Sequence, residues 1–149
     1  MRAVVQKVEN SSVSVDGDLI SEINKGFMVL LAVKESDTLE DLEYIKRKIA
    51  KLRIFEDNEG KLNLSIKDVG GEVLLISQFT LYGDARKGNR PSFIESAKPD
   101  KAEEYYEIMI EELKKEGIPV KTGRFQTHMK VALVNDGPVT ILLDSERII

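Results

Sequence analysis

Gly71-Glu72-Val73-Leu74-Leu75-Ile76-Ser77-Gln78-Phe79-Thr80-Leu81-Tyr82-Gly83-Asp84 passes straight from an apolar run into polar residues. The four residues 73–76 are short, unbroken and introduced by Gly70-Gly71, which reads as a strand after a break. A strand that ends in small polar residues exposes consecutive backbone N–H groups, and Ser77 and Thr80 place hydroxyls beside them. Groups of that kind hold an oxyanion. The same residues can simply finish a strand and begin a turn. No His or Lys adjoins them to activate a hydroxyl as nucleophile.

Outward from this strand, the chain alternates sheet and helix signals. At the start, Ala3, Val5 and Lys7 fall on one face and Val4, Gln6 and Val8 on the other. Residues 12–15 and 19–23 flank Asp16-Gly17-Asp18, a hairpin signal. Residues 27–33 are apolar throughout and predict a strand covered on both faces. Asp37, with Glu40 three residues on, predicts the start of a helix whose buried stripe is Leu39, Leu42, Ile45, Ile49 and Leu52. Strands are expected again at 53–55 and 62–66. A second helix begins near Pro99, buries Ala102, Tyr105, Tyr106, Met109 and Leu113, and stops at Gly117. Strands at 118–121, 127–134 and 139–143 complete an α+β domain over residues 1–149, with about eight strands and two helices.

Composition narrows the chemistry. A chain of 149 residues with 42% apolar residues carries enough material for one sizeable core. There is no Cys and no Trp, and His128 is the only His. Metal clusters and His-based triads are therefore not expected, nor is a cofactor. Alternation places His128 with Lys130 opposite Met129, Val131 and Leu133, as a bystander. No apolar run approaches the roughly 20 residues of a membrane span, and without Cys a cytoplasmic protein is the expectation. A net charge of −4 counts against indiscriminate polyanion binding but leaves local basic patches open.

Two further segments stand out. Asn135-Asp136-Gly137-Pro138-Val139-Thr140 interrupts two apolar runs and reads by itself as a hairpin turn. The missing N–H of Pro138 also allows the carbonyls of Gly137 and Pro138 to face a ligand, and an X-Pro bond is where a cis peptide is expected. Arg86-Lys87-Gly88-Asn89-Arg90-Pro91-Ser92-Phe93 gathers three cations, a flexible Gly and an aromatic, either a phosphate-contacting loop or a solvated one.

Together these segments resemble the D-aminoacyl-tRNA deacylase family, enzymes once called D-tyrosyl-tRNA deacylases. The likeness runs from the opening MRAVVQKV through SQFTLYGD and GNRPSF to TGRF and NDGPVT. It implies two packed β-sheets in β/β/α layers, partly barrel-like, with both helices on one outer face. It also implies a homodimer with the site at the subunit interface. Ser77, Gln78, Phe79 and Thr80 would line the pocket for the charged 3′ end of tRNA and act in catalysis. Gly137-Pro138, as a cis peptide, would reach into the other subunit's site, hold the α-amino group and exclude an L side chain; a glycyl ester would pass. Arg86, Lys87 and Arg90 would contact the RNA. Water would attack the activated ester, assisted by Thr80 or by the terminal ribose 2′-hydroxyl, without metal or cofactor. The chain departs from the family at Gln126-Thr127, where small residues are common, and at Asn89, where a cation is common. A non-catalytic RNA- or protein-binding module and a small-molecule esterase are the rival readings.

Overall fold

The computed structural model describes residues 1–149. Its centre is β1 (Arg2–Val15), which pairs antiparallel with β2 (Asp18–Ile23) and β3 (Gly26–Ala32) and, along its other edge, with β8 (Lys130–Asp144). The two short strands expected at its start are thus one strand of 14 residues. Exposed Glu9 and Asn10 fall where the register against β8 shifts, between Gln6 and Val8 and between Val8 and Asn10. Irregular pairing of this kind bends a strand without ending it.

β6 (Glu72–Ser77) adds to β3, and β7 (Val120–Thr122) adds to β6, both parallel, so the order is β2-β1-β3-β6-β7. Each parallel step needs a crossover. The first contains α1 (Leu39–Lys51) and the two-stranded sheet of β4 (Phe55–Glu56) and β5 (Leu62–Leu64); the second is α2 (Pro99–Lys115). Both steps advance in the same direction across the sheet. Right-handed crossovers then put both helices on one face. The ends of the order approach each other as well: Ser21 Oγ donates to the Thr122 carbonyl at 2.6 Å and Lys121 Nζ to the Glu22 carbonyl at 2.8 Å. The mixed sheet is thereby nearly closed into a barrel, with the small sheet beside it.

The strand faces explain why β3 and residues 73–76 of β6 carry no polar side chain. Val73 and Leu75 join Ala3, Val5, Val29 and the helical residues Leu42, Ile45, Tyr106, Met109 and Leu113 in one core. Leu74 and Ile76 point the other way, into a second core with Val8, Val13 and Met28. A strand sandwiched between two cores is apolar at every position. Truncating Leu75, which is fully buried, to Ala would cost about 2–5 kcal/mol. Gly26 is required by the β3–β6 pairing, because a Cβ there would sit 1.8 Å from the Glu72 carbonyl oxygen.

Helix starts differ in detail from expectation. Thr38, not Asp37, caps α1, and its N–H donates to the Asp41 carboxylate at 2.8 Å. Asp37 instead lies buried one residue outside, accepting from the Met1 ammonium at 2.6 Å and the Lys34 N–H at 2.7 Å. Leu39 falls off the buried stripe and is 58% exposed. α2 begins at Pro99 as expected, and Gly117 follows it with φ +83°. Tyr106 ties α2 to β6 by donating to the Leu75 carbonyl at 2.7 Å.

Candidate functional site

β6 ends at Ser77, and Gln78 leads into a single 3-10 turn, Phe79–Tyr82. The Gln78 N–H still continues the ladder, donating to the Leu31 carbonyl at 2.8 Å. The next two amides do not. The N–H groups of Phe79 and Thr80 find no acceptor in the chain, whereas those of Leu81 and Gly83 bond back to Gln78 and Thr80. Two adjacent donors are left over because a helical turn cannot satisfy its own first N–H groups. Ser96 Oγ donates to the Phe79 carbonyl at 3.0 Å and fixes the turn from outside.

A cleft of about 610 Å³ opens at this point. Ile76, Ser77, Gln78 and Phe79 form one side; Phe93, Pro99 and Ala102 contribute another. Residues 125–129, with Val131, close it. Phe79 and Phe93 meet edge to face with centroids 5.2 Å apart. Thr80 is not part of this wall: it is exposed, and its hydroxyl is engaged by the Gln78 side-chain amide. His128, by contrast, does belong to the wall, although it is exposed as its alternation implied. Gln126 lies there too, with φ +56°, a conformation uncommon outside Gly and Asn. Nowhere do three His, Asp or Glu side chains converge as metal ligands.

The second segment sits apart from this cleft, on β8, whose far edge is unpaired. It is not a hairpin turn. Gln6 pairs with Thr140 and Val8 with Asn135, so residues 136–139 bulge outward opposite Lys7 while the strand keeps its direction. An edge position explains the tolerance, since the N–H that Pro lacks would have no ladder to join. Asn135 closes the bulge, its Oδ1 accepting the Val139 N–H at 2.8 Å and its Nδ2 donating to Thr140 Oγ1 at 3.0 Å. The Gly137–Pro138 peptide is cis, and both residues are exposed. Gly137 has φ +137°, and a Cβ there would come within 2.6 Å of Val139 Cγ2. Beneath the bulge, buried Lys7 binds Glu56 at 2.6 Å and lies 3.9 Å from the Asp136 carboxylate.

The cationic loop is less free than its sequence suggests. Asp84 and Ser92 bridge its ends, and Arg86 grips the Asp84 carboxylate at 2.7 and 2.8 Å. That guanidinium holds the Asp84 carboxyl well below the usual carboxylate range. Lys87 and Arg90 remain exposed without an ion pair.

Unengaged backbone donors at the mouth of a cleft with an aromatic pair are the makings of an acyl-ester hydrolase. The model for the D-Tyr-tRNA(Tyr) deacylase family matches residues 4–144. D-aminoacyl-tRNA deacylases of Clostridium acetobutylicum and Thermoanaerobacter sp. strain X514 are 58% and 56% identical, each over 99% of both chains. A solved c-Myc DNA unwinding element binding protein superposes with a TM-score of 0.91 at 43% identity, over 97% of this chain and 98% of its own. A probable eukaryotic D-amino acid tRNA deacylase shares the fold, with a TM-score of 0.81 at 17% identity over 95% and 97%. The chain belongs to the D-Tyr-tRNA(Tyr) deacylase family. It is a hydrolase of the ester bond in D-aminoacyl-tRNA. No helix is long and apolar enough to cross a membrane.

Proposed function

We propose that the chain acts in chiral proofreading, in the cytoplasm, releasing D-amino acids and also glycine from tRNA while sparing L-aminoacyl-tRNA. The observation that carries this reading is the pair of free N–H groups on Phe79 and Thr80 at the cleft mouth. Water attacks the ester carbonyl, the carbonyl oxygen becomes an oxyanion, and these amides receive it. A well-placed donor of this type lowers the barrier by about 3–4 kcal/mol. The tetrahedral intermediate collapses by expelling the ribose 3′-oxygen, which takes up a proton. Gln78 Nε2 donates to the Thr80 hydroxyl, and on this reading the ribose 2′-hydroxyl, which adjoins the ester, orients the water.

Chirality is read by a second copy of the chain. The carbonyls of Gly137 and Pro138, exposed on the unpaired edge of β8, reach the cleft of a partner subunit and accept from the substrate α-amino group. With the ester and amino group both fixed, the D side chain points to solvent and an L side chain meets the backbone. A hydrogen has room in either position, so glycine is not excluded. Lys87 and Arg90 contact RNA phosphates, with Arg86 contributing only if it leaves Asp84.

The test is hydrolysis of D-tyrosyl-tRNA and L-tyrosyl-tRNA side by side. The account expects rapid loss of the D ester and survival of the L ester. Equal cleavage of both would overturn it.

A further inference from the structure

Away from the cleft, Arg47, Lys48 and Lys51 of α1 converge with Arg53 and Arg147 around an open depression of about 680 Å³. All five are exposed. Tyr44 lies among them, with Arg147 5.1 Å, Lys48 5.5 Å and Arg47 5.8 Å from the centre of its ring. None of the five pairs with a carboxylate, in a chain that has 26 acidic residues against 22 basic ones. Arg53 donates only to Asn63, a neutral partner. Other cations of this surface are neutralised, as Lys46 is by Glu43 and Glu116 and Lys34 by Glu146.

The helix dipole accounts for part of this arrangement. Lys48 and Lys51 occupy the last turn of α1, where positive charge is favoured. It does not account for Arg53 and Arg147, which arrive from other segments, Arg147 with φ +60°. Five like charges around one depression repel each other, and an anion within it would relieve them. The ring face and the guanidinium planes suit a sugar-phosphate chain. A lipid surface calls for apolar side chains beside the cations. The lining supplies only Tyr44 and Leu52, both half-buried.

We propose that this face binds the phosphate backbone of the tRNA body while the 3′ end occupies the cleft, an inference that rests on the tRNA reading. The two places are joined across the surface. Ser96 lines the cleft and bridges Lys34, Lys34 binds Glu146 at 2.9 Å, and Arg147 follows. The helical cations supply most of the salt-dependent affinity, and the cleft supplies the chemistry.

The test measures binding of fluorescently labelled, uncharged tRNA by the full chain and by R47A/K48A/K51A. Ala is the strongest helix former, so α1 is retained, and a thermal melt checks it. The variant is expected to bind about tenfold or more weakly. Its slope of log affinity against log salt is expected to be shallower by about two to three. The ratio of kcat/KM on D-tyrosyl-tRNA to that on the D-tyrosyl ester of adenosine should fall in parallel. Unchanged affinity and slope would overturn the proposal. So would wild-type protein that binds phosphatidylserine vesicles through these residues and does not bind tRNA. Wild-type protein that cleaves no D-ester would sink the deacylase reading, while the uncharged-tRNA measurement would still decide the basic face.

Discussion

The segment at the end of β6 and the segment in the middle of β8 are built in opposite ways. Ser77–Phe79 folds inward: strand, turn and cleft wall come from one chain, and the free amides of Phe79 and Thr80 fall where that wall ends. Gly137-Pro138 is turned outward, on an unpaired edge, in a bulge held by Asn135 and apart from the cleft. One segment has a site and lacks a discriminating group; the other is a rigid polar group without a site. On the proposed reading, the amides that activate the ester lie within one subunit, whereas a second copy would seat the α-amino group and so confer selectivity.

The largest expected effect falls on the inward half. Phe79→Pro deletes one free amide at the first position of the turn, where the fixed φ of Pro is tolerated. It should slow D-tyrosyl-tRNA hydrolysis by about 100- to 1000-fold relative to Phe79→Ala, which keeps the amide. Equal rates for the two variants would remove the backbone oxyanion site. Thr80→Ala should cost at most about tenfold, because the hydroxyl is engaged by Gln78 and lies off the cleft wall. A side chain acting as general base would be worth about 100-fold or more, so a loss of that size would return the role to Thr80.

A smaller effect concerns the support behind β6. Tyr106→Phe loses the hydrogen bond to the Leu75 carbonyl and should destabilise the fold by about 1 kcal/mol in urea titration. Burial pushes the hydroxyls of both Tyr82 and Tyr106 well above their ordinary range. A raised folded-state value means that the folded chain prefers the neutral, protonated hydroxyl. That stability is therefore complete below about pH 10, the ordinary tyrosine value, and is lost as the pH rises beyond it. Tyr106→Phe should melt less steeply with pH above 10 than wild type; an identical slope would contradict the burial argument.

Most of this architecture is legible in the sequence, and the misreadings have physical causes. Apolar runs at 27–33 and 73–76 announce strands between two cores, and the stripes of α1 and α2 announce the crossovers. β1 reads as two strands because Glu9-Asn10 breaks the alternation, but a bend needs no break in pairing. Asn-Asp-Gly-Pro reads as a hairpin because composition cannot tell a reversal from an edge bulge; only the register opposite Lys7 does. Asp37 looks like a cap because one residue of helix offset is invisible until the Met1 ammonium and Lys34 claim its carboxylate. Arg86 reads as free for RNA, since the grip of Asp84 depends on the loop's closure. The basic face on α1 is only partly local in the sequence: Arg47, Lys48, Lys51 and Arg53 lie close together, but Arg147 joins them and Tyr44 only in the fold.

The most direct test of the divided site is complementation between two disabled chains. Gly137→Ala forces a Cβ into Val139 at a φ of +137° and should by itself lower the rate about 100-fold, the scale of a small misplacement at a reacting centre. Phe79→Pro disables the other half. When equal amounts are unfolded and refolded together, half the dimers are hybrids, and each hybrid holds one cleft with an intact turn opposite an intact bulge. The account predicts recovery of about a quarter of wild-type hydrolysis of D-tyrosyl-tRNA, with the L ester still spared. A mixture no more active than the average of its two components would contradict it.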